Sequence, residues 1–190
     1  MKKPDIDIDL ADRTQVLNLI THIAARQEQD DKPRRHNSGV YVTPIPYDPI
    51  HDCAAFDFRE AEERGYFKLD LLNMSVYQLI RDQDHYDQLL ATEPPWARLQ
   101  EPEFVAQIVH INNHYDLIQR MPEPVDTVPR MAMFLSLIRP GKRHLVGRSW
   151  YDISEQIWST SADGYTFKKS HAISYALLVA LHMNLVNSAH

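Results

Sequence analysis

Cysteine is the scarcest resource of this 190-residue chain, which has only Cys53. A lone thiol excludes intramolecular disulfides and paired-cysteine metal sites, and it fits a reducing compartment. Long apolar runs are lacking too. The longest, Ile173 to Val186, is interrupted by His182 and Asn184, and Met1-Lys2-Lys3-Pro4 leads into no apolar signal-like segment. A soluble, cytoplasmic protein that does not meet a membrane is therefore expected. Nor is there an excess of positive charge: 20 Lys and Arg against 26 Asp and Glu leave a net charge of −6. That balance argues against coating nucleic acid by bulk charge. The positive charge present is bunched, in Lys32-Arg34-Arg35-His36, in Arg139-Lys142-Arg143-His144 with Arg148, and in Lys168-Lys169, so local basic grooves stay open. No internal repeat or low-complexity tract occurs. The length suffices for one core, or for one core with an appended lobe.

What the chain does have is an acidic strand at its start. In Pro4-Asp5-Ile6-Asp7-Ile8-Asp9-Leu10 three carboxylates alternate with Ile6, Ile8 and Leu10. On a strand this alternation sets the acids on one face and a core-facing apolar back on the other, with Asp7 and Asp9 about 6.5 to 7 Å apart at Cα. Adjacent carboxylates without a counter-charge call for water or a divalent cation. The plain alternative is a solvated edge strand whose charges guard against aggregation.

Downstream, Val16, Leu17, Ile20, Ile23 and Ala24 recur at helical spacing after Asp12, a good N-cap. Gln27 to Asn37 reads as a polar loop, Gly39 to Val42 as a short strand, and a second short strand falls around Cys53 to Phe58. Phe67, Leu69 and Leu71 alternate with Lys68 and Asp70, giving a strand with one more acid. Helices are predicted over 73–90, 103–120, 131–138, near Ser154, and over 170–186, with a Pro-rich joint at Pro122 to Pro129. The fold class is α+β: a small mixed or antiparallel sheet with flanking helices, then a C-terminal helical lobe. Residues 1–92 form the α/β part that carries the acids and 93–190 the helical lobe, the two packed as one compact unit. If the two acidic strands are neighbours, Asp7, Asp9 and Asp70 converge beside Lys68, and such a site suits Mg²⁺, or Mn²⁺ in its place.

Several segments, in order, resemble the palm region of the bacterial C-family replicative DNA polymerases (DNA polymerase III α). Pro4-Asp5-Ile6-Asp7-Ile8-Asp9-Leu10 resembles the family's PDxDxDF strand, and Arg35-His36-Asn37-Ser38-Gly39-Val40-Tyr41-Val42 its HAxGVVI segment. Phe56-Asp57 and Gly65-Tyr66-Phe67-Lys68-Leu69-Asp70-Leu71-Leu72 are similar to its QFD…GLVKFDFLGL. Ile138-Arg139-Pro140-Gly141 resembles its L-x-RPG, and Tyr165-Thr166-Phe167-Lys168-Lys169-Ser170-His171-Ala172 its YGFNKSHA. The resemblance implies a palm-like sheet in which Asp7, Asp9 and Asp70 are catalytic metal ligands, with Asp5 an outer acid. It also implies nucleotide or phosphate contacts from Lys68, His36, Arg139, Lys168, Lys169, Ser170 and His171. The implied activity is Mg²⁺-dependent (or Mn²⁺-dependent) nucleotidyl transfer on a DNA primer-template with deoxynucleotides, alone or as one piece of a split polymerase.

The family's Gly-Ser phosphate grip, most of its fingers, and its flanking modules have no counterpart in these 190 residues. That leaves a second expectation, a catalytically inactive palm remnant that binds other polymerase or replisome polypeptides, and a third, a metal-dependent phosphohydrolase. Arg34 and Arg35 could line a phosphate path or belong to a wet loop. Arg139 could aim at phosphate or complement a helix C-terminus. Lys168, Lys169 and His171 would form an anion site at a helix capped by Ser170. Ile173, Ala176, Leu177, Ala180, Leu181 and Leu185 read as a core stripe, and Trp96, Trp150 and Trp158 as packing. His110 and His114 share helical i, i+4 spacing but lack a third zinc ligand.

Overall fold

A computed structural model describes residues 6–30, 32–159 and 167–188. The chain is α+β and divides into two compact units, Met1–Leu79 and Ile80–His190. The first unit holds β1 (Ile6–Leu10), α1 (Arg13–Leu17), β2 (Ile23–Gln29), β3 (Lys32–Tyr41), β4 (Tyr47–Asp48), β5 (Cys53–Ala54), α2 (Phe58–Glu63) and β6 (Leu69–Asn73), ending in a 3₁₀ turn at Ser75–Leu79. β1, β6, β3 and β2 form a mixed sheet in that order, and β4 pairs with β5 in a separate ribbon. β1 runs parallel to β6, whereas β3 is antiparallel to both β6 and β2.

Asp12 caps α1 as expected, its carboxylate accepting the Thr14 N–H at 2.8 Å. The helix stops at Leu17, however, and Ile23 and Ala24 belong to β2, opposite Tyr41 and Val40. The predicted loop at 27–37 is instead the polar half of the β2–β3 hairpin, turning at Asp30 with φ of 52°. Backbone ladder bonds need no apolar side chains, and pairs such as Arg26 with Glu28 keep that half soluble. The strand expected over Cys53 to Phe58 is only two residues long, because Asp57 caps α2 by accepting the Arg59 N–H at 2.9 Å.

The core of the first unit is built from Ala25, Tyr41, Ile45, Ala54 and Ala61, with Phe56, Phe58 and Tyr66 against it. It lies toward the β2–β3 end of the sheet. The apolar back of the acidic strand is accordingly not buried: Ile6 and Ile8, on the edge strand, remain 41% and 38% exposed.

The second unit holds α3 (Gln83–Ala91), α4 (Pro102–Val105), α5 (Tyr115–Gln119), α6 (Val128–Leu137), α7 (Trp150–Gln156) and α8 (Lys169–Ser188), with 3₁₀ turns at Trp96–Gln100 and Pro140–Leu145. The expected helix over 73–90 divides into the end of β6, a 3₁₀ turn and α3. The division of the chain consequently falls after Leu79 and not after residue 92. α3 belongs with α8, where the buried Asn184 amide donates to the carbonyls of Leu89 and Thr92 at 2.9 and 2.8 Å. The single helix expected over 103–120 is broken into α4 and α5. His110 sits between them at φ 66° and His114 is the residue before α5, so the two do not share a helix face.

α6 and α8 are the main packed pair. Phe134, Leu137, Ala172, Ala176, Val179 and Met183 are all in the core, with Trp150 at its side. Of the expected stripe, Ala176, Ala180, Leu181 and Leu185 are buried, whereas Ile173 and Leu177 are 39% and 46% exposed, and the small residue Ala172 faces inward. Trp96 and Trp158 pack against this core, as expected. No helix among the described residues is long and apolar enough to cross a membrane.

Candidate functional site

Strand pairing brings the sequence-identified acids of the first unit together. β1 and β6 align with Asp7 opposite Asp70 and Asp9 opposite Leu72. Opposed residues in a parallel ladder share a face on strands about 4.8 Å apart, so Asp7 and Asp70 lie on one face, with Asp9 on the same face one repeat along. β3 closes the other side of β6 by setting Gly39 opposite Asp70. Asp5 lies outside the described residues.

Asp70 is the most enclosed of these acids, at 8% exposure. Its Oδ1 accepts the Ser38 hydroxyl at 2.7 Å. Its Oδ2 is ion-paired with the Lys68 ammonium, two residues earlier and therefore on the same face. His36 approaches Oδ1 at 3.7 Å, but its Nδ1 accepts the Gly39 N–H at 2.9 Å. A ring that accepts at Nδ1 carries its proton on Nε2 when neutral. Burial first, and the nearby Lys68 second, push the His36 pKa below the ordinary imidazole value. At pH 7 the positive charge beside Asp70 thus comes from Lys68 and not from His36.

The stretch of β3 that supplies Ser38 and His36 is itself braced. The Arg13 guanidinium donates to the carbonyls of Asn37 and Ser38, and the Arg13 N–H donates to the Asn73 side chain at 2.7 Å, tying α1 to β3 and β6. The Phe58 ring meets the His36 ring edge-on at 5.2 Å and lies 5.6 Å from the Lys68 ammonium. Gly39 leaves room for both: a Cβ there would fall 2.8 Å from Lys68 Cδ and 3.0 Å from His36 Nδ1. Tyr41 is fully buried with no hydrogen-bond partner for its hydroxyl. Burial, with the negative charges of Asp57, Asp70 and Glu62, pushes its pKa up to about 12.

The donor set suits a hard divalent cation in kind and in backbone position, since magnesium needs only one or two protein carboxylates beside water and phosphate. The side-chain arrangement is different: among the described residues no three His, Cys, Asp or Glu groups are drawn together as a metal cage. Asp70 instead gives one oxygen to Lys68 and the other to Ser38.

The remaining sequence-identified residues belong to the second unit. Arg139 lies over the Phe167 ring at 4.5 Å, and Phe167 stacks with Tyr175 at 6.0 Å. The rings of His110 and His171 approach Tyr175 at 4.6 and 6.5 Å. Lys169 lies 5.7 Å from the Trp158 ring. Lys168, Lys169 and Ser170 are exposed; Lys169 is already helical, so Ser170 sits in the first turn of α8 and does not cap it. Tyr165 and Thr166 of the same motif lie outside the described residues. The Arg139 Nε and His110 Nε2 atoms are buried and have no hydrogen-bond partner. Burial first, then Arg139, holds the His110 pKa below its usual value; burial, Arg143 and Arg139 do the same to His114.

Some basic residues prove to be structural. Arg35 is ion-paired with Asp52 and also donates to its carbonyl at 3.0 Å, fastening β3 to the turn before β5. Lys142 is buried, donating to the Gln156 carbonyl and the Ser159 hydroxyl, each at 2.9 Å. A groove of about 440 Å³ in the second unit is lined by Trp96, Ile118, Met121 and Val125 among others, and by none of the sequence-identified site residues. Its acids Glu123 and Asp126 are paired with Arg130. Ser38 and Arg13 are the participants that sequence patterns did not single out. Ser38 is visible only as a polar residue between His36 and Gly39, and Arg13 reaches the site through a helix whose contacts have no sequence signature.

Comparison with known proteins returns no matching family model, no matching curated protein and no matching solved structure.

Proposed function

We propose that the first unit is a palm-derived nucleotidyltransferase centre using Mg²⁺ or Mn²⁺, acting on a DNA primer-template with deoxynucleotides, alone or as one piece of a split replicative polymerase. The observation that carries this reading is the parallel register opposing Asp7 to Asp70, with Asp9 on the same face and Lys68 beside them. Asp7, Asp9 and Asp70 would hold the divalent ions. The chemistry such ions would supply there is Lewis acidity, toward an attacking hydroxyl and toward the leaving phosphate oxygens. Lys68 would meet phosphate as a point cation, and neutral His36 offers its Nε2–H as a hydrogen-bond donor. Arg139, Lys168, Lys169, Ser170 and His171 of the second unit are assigned to phosphate contacts. The work asked of these side chains is positioning and charge stabilisation.

Primer extension by purified protein with Mg²⁺ tests the assignment. Asp9→Ala and Asp70→Ala should each abolish incorporation while leaving the circular dichroism spectrum intact. Incorporation that survives both changes would refute the reading.

One observation favours a second reading, a catalytically inactive palm remnant that serves as a binding or assembly component of a replication complex. Both Asp70 oxygens are already engaged by the chain's own donors. Under this reading the protein copurifies with another replication polypeptide and incorporates nothing alone; robust solitary incorporation excludes it.

A further inference from the structure

We propose that Lys68 is a tethered stand-in for the metal, neutralising Asp70 while no divalent ion is bound and leaving it when one arrives. The inference rests on the metal-dependent reading of the first unit and accounts for the one feature that sits awkwardly with it. Three acids share a sheet face, yet their side chains form no cage. An ammonium on Asp70 Oδ2 accounts for Asp70's part in this: a carboxylate at 8% exposure needs a counter-charge, and Lys68 supplies it.

The surroundings are arranged for a side chain that changes partners. Lys68 precedes β6, so its backbone is not locked into the ladder that holds Asp70. Its stem crosses the one position in β3 without a side chain, since a Cβ on Gly39 would fall 2.8 Å from Lys68 Cδ. The Phe58 face, 5.6 Å from the ammonium, offers a cation a second resting surface. Ser38 is the fixed part of the device. Its hydroxyl holds Oδ1 at 2.7 Å, and Arg13 clamps the carbonyls of Asn37 and Ser38, so the carboxylate keeps its orientation when Lys68 departs. The charge exchanged is balanced: a divalent ion replaces one ammonium on Asp70, and the released ammonium becomes available to an anionic group such as a phosphate.

Two measurements on the full chain test this, with Mn²⁺ or Mg²⁺ alone as the ligand. In Mn²⁺ titrations followed by electron paramagnetic resonance, Lys68→Met should bind at least tenfold more tightly than the parent, because the competing cation is gone. Adding Asp70→Asn to Lys68→Met should erase the gain. Independently of any substitution, amine acylation mapped by mass spectrometry should label Lys68 severalfold faster when Mg²⁺ is added. Lys142, held by Gln156 and Ser159, serves as the internal reference and should not respond.

Mn²⁺ binding that is unchanged or weaker in Lys68→Met, or Lys68 labelling indifferent to Mg²⁺, overturns the stand-in role while leaving the metal site in place. Absence of Mn²⁺ binding in both parent and Lys68→Met removes the metal-dependent reading itself and makes Lys68 a permanent partner of Asp70, which overturns the inference with it.

Discussion

Gly39→Ala is the most informative single change in the first unit, because its cost can be worked out from the neighbours it would strike. The added methyl falls 2.8 Å from Lys68 Cδ, 3.0 Å from His36 Nδ1 and 3.1 Å from Ala25 Cβ. Ala25 is fully buried and cannot yield, and the Lys68 stem is held at its far end by Asp70. Overpacking of this kind costs about 1–3 kcal/mol. Removing a strand glycine returns about 0.5–1 kcal/mol of backbone entropy. The net expectation is a loss centred on about 1 kcal/mol and reaching about 2.5 kcal/mol, the central figure being equivalent to roughly a 5-fold change in the folded-to-open ratio. Hydrogen exchange at the amides of Gly39, Val40, Leu69 and Asp70, where β3 meets β6, reads this locally. Those amides should exchange faster by that factor. In a Lys68→Ala background the nearest obstacle is gone, so Gly39→Ala should cost about 1 kcal/mol less there. Exchange as slow as in the parent, or strict additivity of the two changes, would refute the close-approach reasoning.

Stability should fall on mild acidification. His36, His110 and His182 have pKa values lowered chiefly by burial, so the folded protein resists protons that the unfolded chain accepts. Their contribution is complete above the unfolded value of 6.5 and is lost as pH drops through it toward the folded values, at up to about 1.4 kcal/mol per pH unit for each histidine inside its window. Urea midpoints at pH 7.5 and 5.5 should differ accordingly, and His182→Gln should flatten the dependence. A midpoint insensitive to this range would contradict the neutral assignment. In the second unit, Asn184→Ala strips the buried Leu89 carbonyl and the part-buried Thr92 carbonyl of their donor. Leaving the buried Leu89 acceptor unsatisfied costs about 1–3 kcal/mol, so a clear drop in melting temperature is expected, with faster exchange confined to α3 and the facing turns of α8.

The sequence was most legible where two signals coincided. Asp7, Asp9, Lys68 and Asp70 could be assigned to one face because alternation fixes the face and the two acidic strands proved to be neighbours, and Asp12 was readable as a cap from its position alone. The β2–β3 hairpin was not legible. Its outer half carries Arg26, Glu28, Arg34 and Arg35, and a ladder made by backbone groups leaves no apolar alternation to detect. Helix spacing misled at 103–120, where His110 takes a left-handed conformation and breaks what periodicity would have continued. On α8 the stripe was right at Ala176, Ala180, Leu181 and Leu185 but took in the exposed Ile173 and Leu177 and passed over the buried Ala172, because close helix approach favours small side chains that a hydrophobicity pattern undervalues. Side-chain partners such as Ser38 on Asp70 depend on strand register, which no local pattern encodes.

The parallel pairing of β1 with β6 has a consequence for how the first unit comes into being. Its acidic face is assembled from the first and the last strands of that unit, with the entire hairpin, ribbon and α2 between them. Closing so long a loop must precede any benefit from the pairing, which makes such contacts slow to form. During synthesis Asp7 and Asp9 emerge long before Lys68 and Asp70, and an isolated acidic segment attracts cations too weakly to organise itself. The acidic face is therefore complete only when the chain has delivered both β1 and β6, with Lys68 beside Asp70.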